Sequence, residues 1–217
     1  IRTDPETGAV LEEKVLDITA DLSDSNYPNG LAFDPENEVW YFAEKGGILN
    51  TVNEDGCLGV KTYSGVSGGK DIAGAAYYDG GYYFTPQGGD KLYRVDISSG
   101  SAVRTTVCEN LPLGGKTFGD IAISPDGIAY FSVNGAFFTV DLADCDTYEV
   151  IVQSADREQY AVLSQIAFAN DTLWAHHAGT GDWRTVDVET GALSDLIDTT
   201  RQYTDIAQCG TYELRCE

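Results

Sequence analysis

The two histidines, His176 and His177, are adjacent, and they are where acid–base or metal chemistry would first be sought. Neighbouring residues on a strand point to opposite faces of a sheet, so the pair cannot close on one metal ion. His176 falls in the slot that Phe42, Phe84 and Phe131 take in parallel segments, which reads as a core histidine with a hydrogen-bond partner. Without a further histidine no Ser/His/Asp or Cys/His arrangement can be assembled, and no catalytic residue is assigned. The 35 carboxylates form close pairs by chance alone. Asp34, Glu36 and Glu38 cluster in one turn and Asp141, Asp144 and Asp146 in another, but neither follows the spacing of a calcium loop. Both read as solvated acidic turns, so no cofactor and no metal is expected, with a bound cation such as calcium the weaker alternative. Asp120, Gln165 and Asp205 each stand two residues before a recurring alanine and are expected at the mouth of a central channel, holding water or a cation.

The segments that carry these side chains repeat. An apolar-Ala pair recurs as Leu31-Ala32-Phe33, Ala75-Ala76-Tyr77, Ile121-Ala122-Ile123, Ile166-Ala167-Phe168 and Ile206-Ala207-Gln208, with alanine spacings of 44, 46, 45 and 40. An aromatic, strand-forming run follows the first four, for example Val39 to Phe42 and Ile128 to Phe131. A third run ends in an acidic or amide turn at Asn53, Asp96, Asp141 and Asp187, and Asp187-Val-Glu-Thr-Gly191 shows the chemistry. Asp and Thr close such a turn with side-chain bonds while Gly takes the positive φ. A fourth, more polar strand, such as Val103 to Val107 or Glu149 to Gln153, completes each unit.

Four-stranded units with a period near 45 are propeller blades. Ile1 to Gly8 matches Arg184 to Gly191, so the chain begins inside a blade, and Asp205-Ile206-Ala207 supplies a fifth first strand. The expected fold is all-β: one five-bladed β-propeller over 1–217, its last blade shared by 1–19 and 204–217. Pairing both ends in one sheet removes edges that would otherwise invite aggregation. The chain resembles the β-propeller superfamily through its apolar-Ala-apolar, aromatic-strand and Val-Asp-x-x-Thr-Gly repeats. It is similar in size to the small five-bladed lectins but has no sugar-binding motif to carry over. The three placed carboxylates of the arabinan-cleaving five-bladed enzymes are not identifiable either. Fold alone assigns no function.

Thirteen Lys and Arg against 35 Asp and Glu give a net charge of −22, which excludes nucleic acid and anionic membrane surfaces as partners. No apolar run reaches a membrane span, and with no Met anywhere the chain is expected to be a processed or excised piece. Cys57, Cys108, Cys145, Cys209 and Cys216 lack the CxxC spacing of a zinc site, and scattered cysteines beside a sequon fit an oxidising, extracellular compartment. Two disulfides and one spare thiol are expected, Cys216 being the natural candidate for the thiol; the sequence leaves all 15 pairings open. Asn170-Asp171-Thr172 is the sequon and falls in a tight turn, so Asn170 is the expected glycosylation site.

One rim should gather the loops that join blades and those between second and third strands. It would carry Lys45, Lys70, Lys91, Lys116, Arg157 and Arg201 beside Tyr27, Phe118, Tyr160, Trp183 and Tyr203, opposite a rim of acidic hairpins. Such a surface suits an acidic protein subunit, or a glycan through ring stacking. The sequence therefore points to a non-enzymatic, extracellular structural or interaction module that self-associates within a glycoprotein assembly or filament. A carbohydrate-binding lectin is the alternative, and a glycan-cleaving enzyme a weaker third.

Overall fold

The structure, a computed structural model, describes residues 2–3, 10–12, 29–53, 61–98, 100–113, 119–133, 136–152, 164–169, 171–198 and 205–207. Every regular element among them is a strand. Four four-stranded antiparallel sheets are arranged as a propeller ring. The first blade contains β3 (Asn29–Asp34), β4 (Val39–Glu44), β5 (Ile48–Asn53) and β6 (Lys61–Tyr63). The second contains β7 (Ile72–Tyr78), β8 (Gly81–Pro86), β9 (Leu92–Ser98) and β10 (Ser101–Cys108). The third contains β11 (Gly119–Ile123), β12 (Ile128–Val133), β13 (Ala136–Asp141) and β14 (Asp144–Val152). The fourth contains β15 (Gln165–Ala169), β16 (Thr172–His176), β17 (Asp182–Val186) and β18 (Ile197–Asp198).

A separate two-stranded antiparallel sheet joins β1 (Arg2–Thr3) to β2 (Val10–Glu12), flanking the hairpin expected at 4–8. The expected fifth blade otherwise lies largely outside the described residues, apart from 205–207. Those three residues sit at the axis, where Ile206 and Ala207 line the same cavity as the first strands of the four complete blades.

Burial grades outward through each blade, as a propeller requires. All six residues of β8 are buried, because both faces of a second strand pack against neighbouring blades, whereas β10 on the periphery is exposed at most positions. Apolar cores fill the gaps between blades. Phe131 lies between the second and third, stacked on Phe138 with ring centroids 4.8 Å apart. Tyr82, Phe84 and Leu49 fill the gap between the first and second, and Phe137, Ile166 and Leu173 that between the third and fourth. A Cys108–Cys145 disulfide joins β10 to β14 across the periphery, with 5.2 Å between Cα atoms. Both cysteines stand in strands rather than turns, and Cys57, Cys209 and Cys216 lie outside the described residues.

The turn chemistry is as the residue types dictate. Asp187 Oδ1 accepts from the backbone N–H groups of Glu189 and Thr190 at 3.0 and 2.8 Å, and Gly191 takes φ +70°.

Candidate functional site

The first strands converge on the axis through one repeated position, two residues before the recurring alanine. That position is Gly30, Gly74, Asp120, Gln165 and Asp205 in chain order. Asp120 is 1% exposed, yet its carboxylate is well supplied with donors. Oδ1 accepts from Ile121 N at 2.8 Å and from Ala75 N at 3.3 Å, and Oδ2 accepts from Ile166 N at 3.1 Å. One side chain thus ties three blades together through backbone amides. Asp205 repeats the device: Oδ1 accepts from Ile206 N at 2.9 Å and Oδ2 from Leu31 N at 2.7 Å, joining 205–207 to the first blade.

The glycines at the other positions make room for this arrangement. A Cβ on Gly74 would lie 2.6 Å from Asp120 Cα and 2.9 Å from its Oδ1. Gly30 takes φ +67°, and a Cβ there would lie 2.7 Å from the hydroxyl of Tyr82, which donates to the Gly30 carbonyl.

Burial holds both axial carboxyls above their ordinary range, and the charge of Asp205 adds to the effect on Asp120. The amide donors oppose that rise without cancelling it, leaving Asp205 raised to about 7. Tyr82 is also pushed well up, by burial first and then by the two carboxylates. Gln165 lies between the acidic positions in chain order, 8% exposed, and its Oε1 has no hydrogen-bond partner among the described residues. Of the three expected channel residues, the two acids bind backbone N–H groups of adjoining blades.

Beside this ring the axis opens into a cavity of about 460 Å³. Five segments line it: 31–33, 75–80, Ile121 with Ile123, 166–168, and 206–207, joined by Pro35, Glu36 and Pro125 from turns. The Asp34 turn beside it departs from the solvated turn expected from sequence. Asp34 is 1% exposed, and its carboxylate accepts from the N–H groups of Glu36 and Asn37, from Asn37 Nδ2 and from the Tyr77 hydroxyl at 2.7 Å. It anchors the first blade's turn to the second blade, and Tyr77 is pushed up by burial and by that bond. The sequence signal was the Asp-x-x-Asn spacing of a side-chain-closed turn; the tyrosine partner, 43 residues on, had none.

The expected rim is only partly described. Lys45 and Lys70 are exposed, Lys45 lining a second cavity of about 220 Å³ with Glu44, Asp71 and Gln87. Lys91 pairs with Glu109 at 2.5 Å, so acids share this rim with the lysines. Trp183 is 9% exposed and packs on the His176 ring at 4.6 Å, which places it in the blade and not on the rim. Tyr27, Lys116, Phe118, Arg157, Tyr160, Arg201 and Tyr203 lie outside the described residues, as does Asn170.

His176 is fully buried, with Nδ1 3.1 Å from the Asp182 carbonyl oxygen. Strand register corrects its slot by one residue. It pairs with Gln165 as Ser132 pairs with Asp120 and Thr85 with Gly74, whereas Phe131 and Phe84 align with Ala175. A one-residue slip moves a side chain to the other sheet face, so His176 takes the position that Ser132 and Thr85 hold in sister blades, not that of the phenylalanines.

No family model and no curated protein matches this sequence. Solved structures do resemble the fold. A chain in a crystal structure of a nidogen/laminin complex superposes with TM-score 0.59 at 14% identity, covering 83% of this chain and 67% of that one. PorZ, described as an essential bacterial surface component of the type-IX secretion system of Porphyromonas gingivalis, gives TM-score 0.50 at 13% identity. The match covers 82% of this chain but only 23% of PorZ. At these identities the likeness establishes the propeller fold and nothing finer.

Proposed function

We propose that this chain is a non-catalytic, extracellular interaction module, a five-bladed unit of a larger glycoprotein assembly, closed by pairing its two ends and needing no cofactor. The observation that carries this reading is the use made of the axial acids. In a glycan-cleaving site a carboxyl pair must face substrate. Here Asp120 and Asp205 instead accept five backbone hydrogen bonds between them and hold blades together. The Cys108–Cys145 bridge supports an oxidising compartment, and the similar folds include a partner in a nidogen/laminin complex and a bacterial surface component.

Its partners would be other protein subunits, a second copy of this chain among them. Light scattering on native material at physiological salt, with mass measured reduced and unreduced, tests this. Concentration-dependent association is expected, and a strictly monomeric, unlinked species at high concentration would remove the assembly reading. A glycan array then tests the lectin alternative.

A further inference from the structure

The axial cavity differs in character from the acidic surface around it. Its deep wall is aliphatic, with Ile121 and Ile166 almost fully buried, while Glu36 and Asp79 are exposed at its edge. Four aromatic residues also line it: Phe33, Tyr77, Tyr78 and Phe168. Among the described residues the lining contains no Lys, Arg or His. The neighbouring guanidinium, Arg94, donates to the Asp79 carbonyl at 3.1 Å but is already paired with the Asp96 carboxylate at 2.7 Å.

The rings are fixed before any ligand arrives. Phe33 packs on Trp40 at 4.6 Å, Phe168 on Tyr130 at 5.4 Å, and Tyr77 is held by Asp34 at 2.7 Å. Preformed walls lower the ordering cost of binding. A volume of about 460 Å³ suits a small molecule. The net charge of −22 and the carboxylates at the edge repel anions and concentrate cations. Aromatic faces add attraction for a weakly hydrated cation, and the aliphatic floor adds it for an apolar body.

We propose that the axial cavity is a binding site for a small organic cation, a substituted ammonium on an apolar body, with the ammonium beside Glu36, Asp79 and the tyrosines and the body against the isoleucines. The site lies apart from the lysine- and aromatic-bearing loops expected to face protein partners, because its edge is formed by turns between first and second strands. Calorimetric titration of the whole chain with benzyltrimethylammonium tests it, with benzyl alcohol as neutral control and phenylacetate as anionic control. Saturable binding of one cation is expected, roughly tenfold tighter than the alcohol, with no phenylacetate binding. The Glu36→Gln/Asp79→Asn double variant should weaken cation binding by roughly fivefold to tenfold and flatten its salt dependence. Ala167→Leu, which puts a larger side chain in the cavity lining, should abolish it. Because Glu36 and Asp79 are exposed, the double variant keeps its fold and stays informative if the leucine variant does not. Equal binding of the alcohol, unchanged affinity in the double variant, or no saturable cation binding up to about 10 mM overturns the proposal.

Discussion

Replacing Asp120 with alanine leaves three N–H groups, those of Ala75, Ile121 and Ile166, without their acceptor. Each unsatisfied buried donor costs about 1–3 kcal/mol, which sets a gross loss of about 3–5 kcal/mol if the cheaper end applies. Two effects offset it. The substitution removes a desolvated carboxyl and its repulsion with Asp205, and water can reach amides near an open axis. A net destabilisation of about 2–3 kcal/mol at pH 7 remains, or a fall in Tm of roughly 5–10 °C for a chain of this length. Asp120→Asn keeps one acceptor oxygen but turns its amide toward a donor, so it should fall between wild type and alanine. Denaturant unfolding followed by tryptophan fluorescence measures all three proteins. Asp195→Ala, at an exposed position, is the control and should stay within about 0.5 kcal/mol. An Asp120→Ala protein as stable as wild type would refute the assignment of Asp120 as an interblade tie.

Asp205 gives a pH prediction. Its folded-state value of about 7 lies above the unfolded carboxyl range, so its contribution to stability is complete below about pH 4 and is lost as pH rises to about 7, by up to about 4 kcal/mol. Asp205→Asn should flatten that part of a Tm–pH profile, and an unchanged slope in the variant would remove the claim. Loss of the Cys108–Cys145 bridge, which closes 37 residues of sequence, should cost about 4 kcal/mol by chain entropy, read as a lower denaturation midpoint in the double serine variant. His176→Phe loses the contact to the Asp182 carbonyl oxygen and overfills a position where sister blades hold Thr85 and Ser132, so it should destabilise by about 1–3 kcal/mol while leaving partner binding intact. Loss of binding with an unchanged Tm would instead make His176 functional.

Strands, hairpins and the propeller ring were legible in the sequence because each depends on a short stretch of chain. The apolar-Ala pairs, the aromatic runs, the Asp187-to-Gly191 turn and a period near 45 specify a blade without reference to any other blade. The position two residues before each alanine was legible as axial for the same reason. What Asp120 does there was not, because its acceptors serve amides 45 residues before it and 46 after it, and only ring geometry makes those neighbours. Asp34 was misread as solvated on the same ground, since Tyr77 belongs to the next blade. Trp183 reads as a loop residue because the start of β17 at Asp182 carries no mark in the sequence, whereas the slot of His176 turned on strand register, in which one residue exchanges the two faces of a sheet and periodic patterning tolerates the slip. Composition made the chain acidic everywhere, but packing of first strands around an axis made four rings and two carboxylates into one cavity, a placement that no linear spacing encodes.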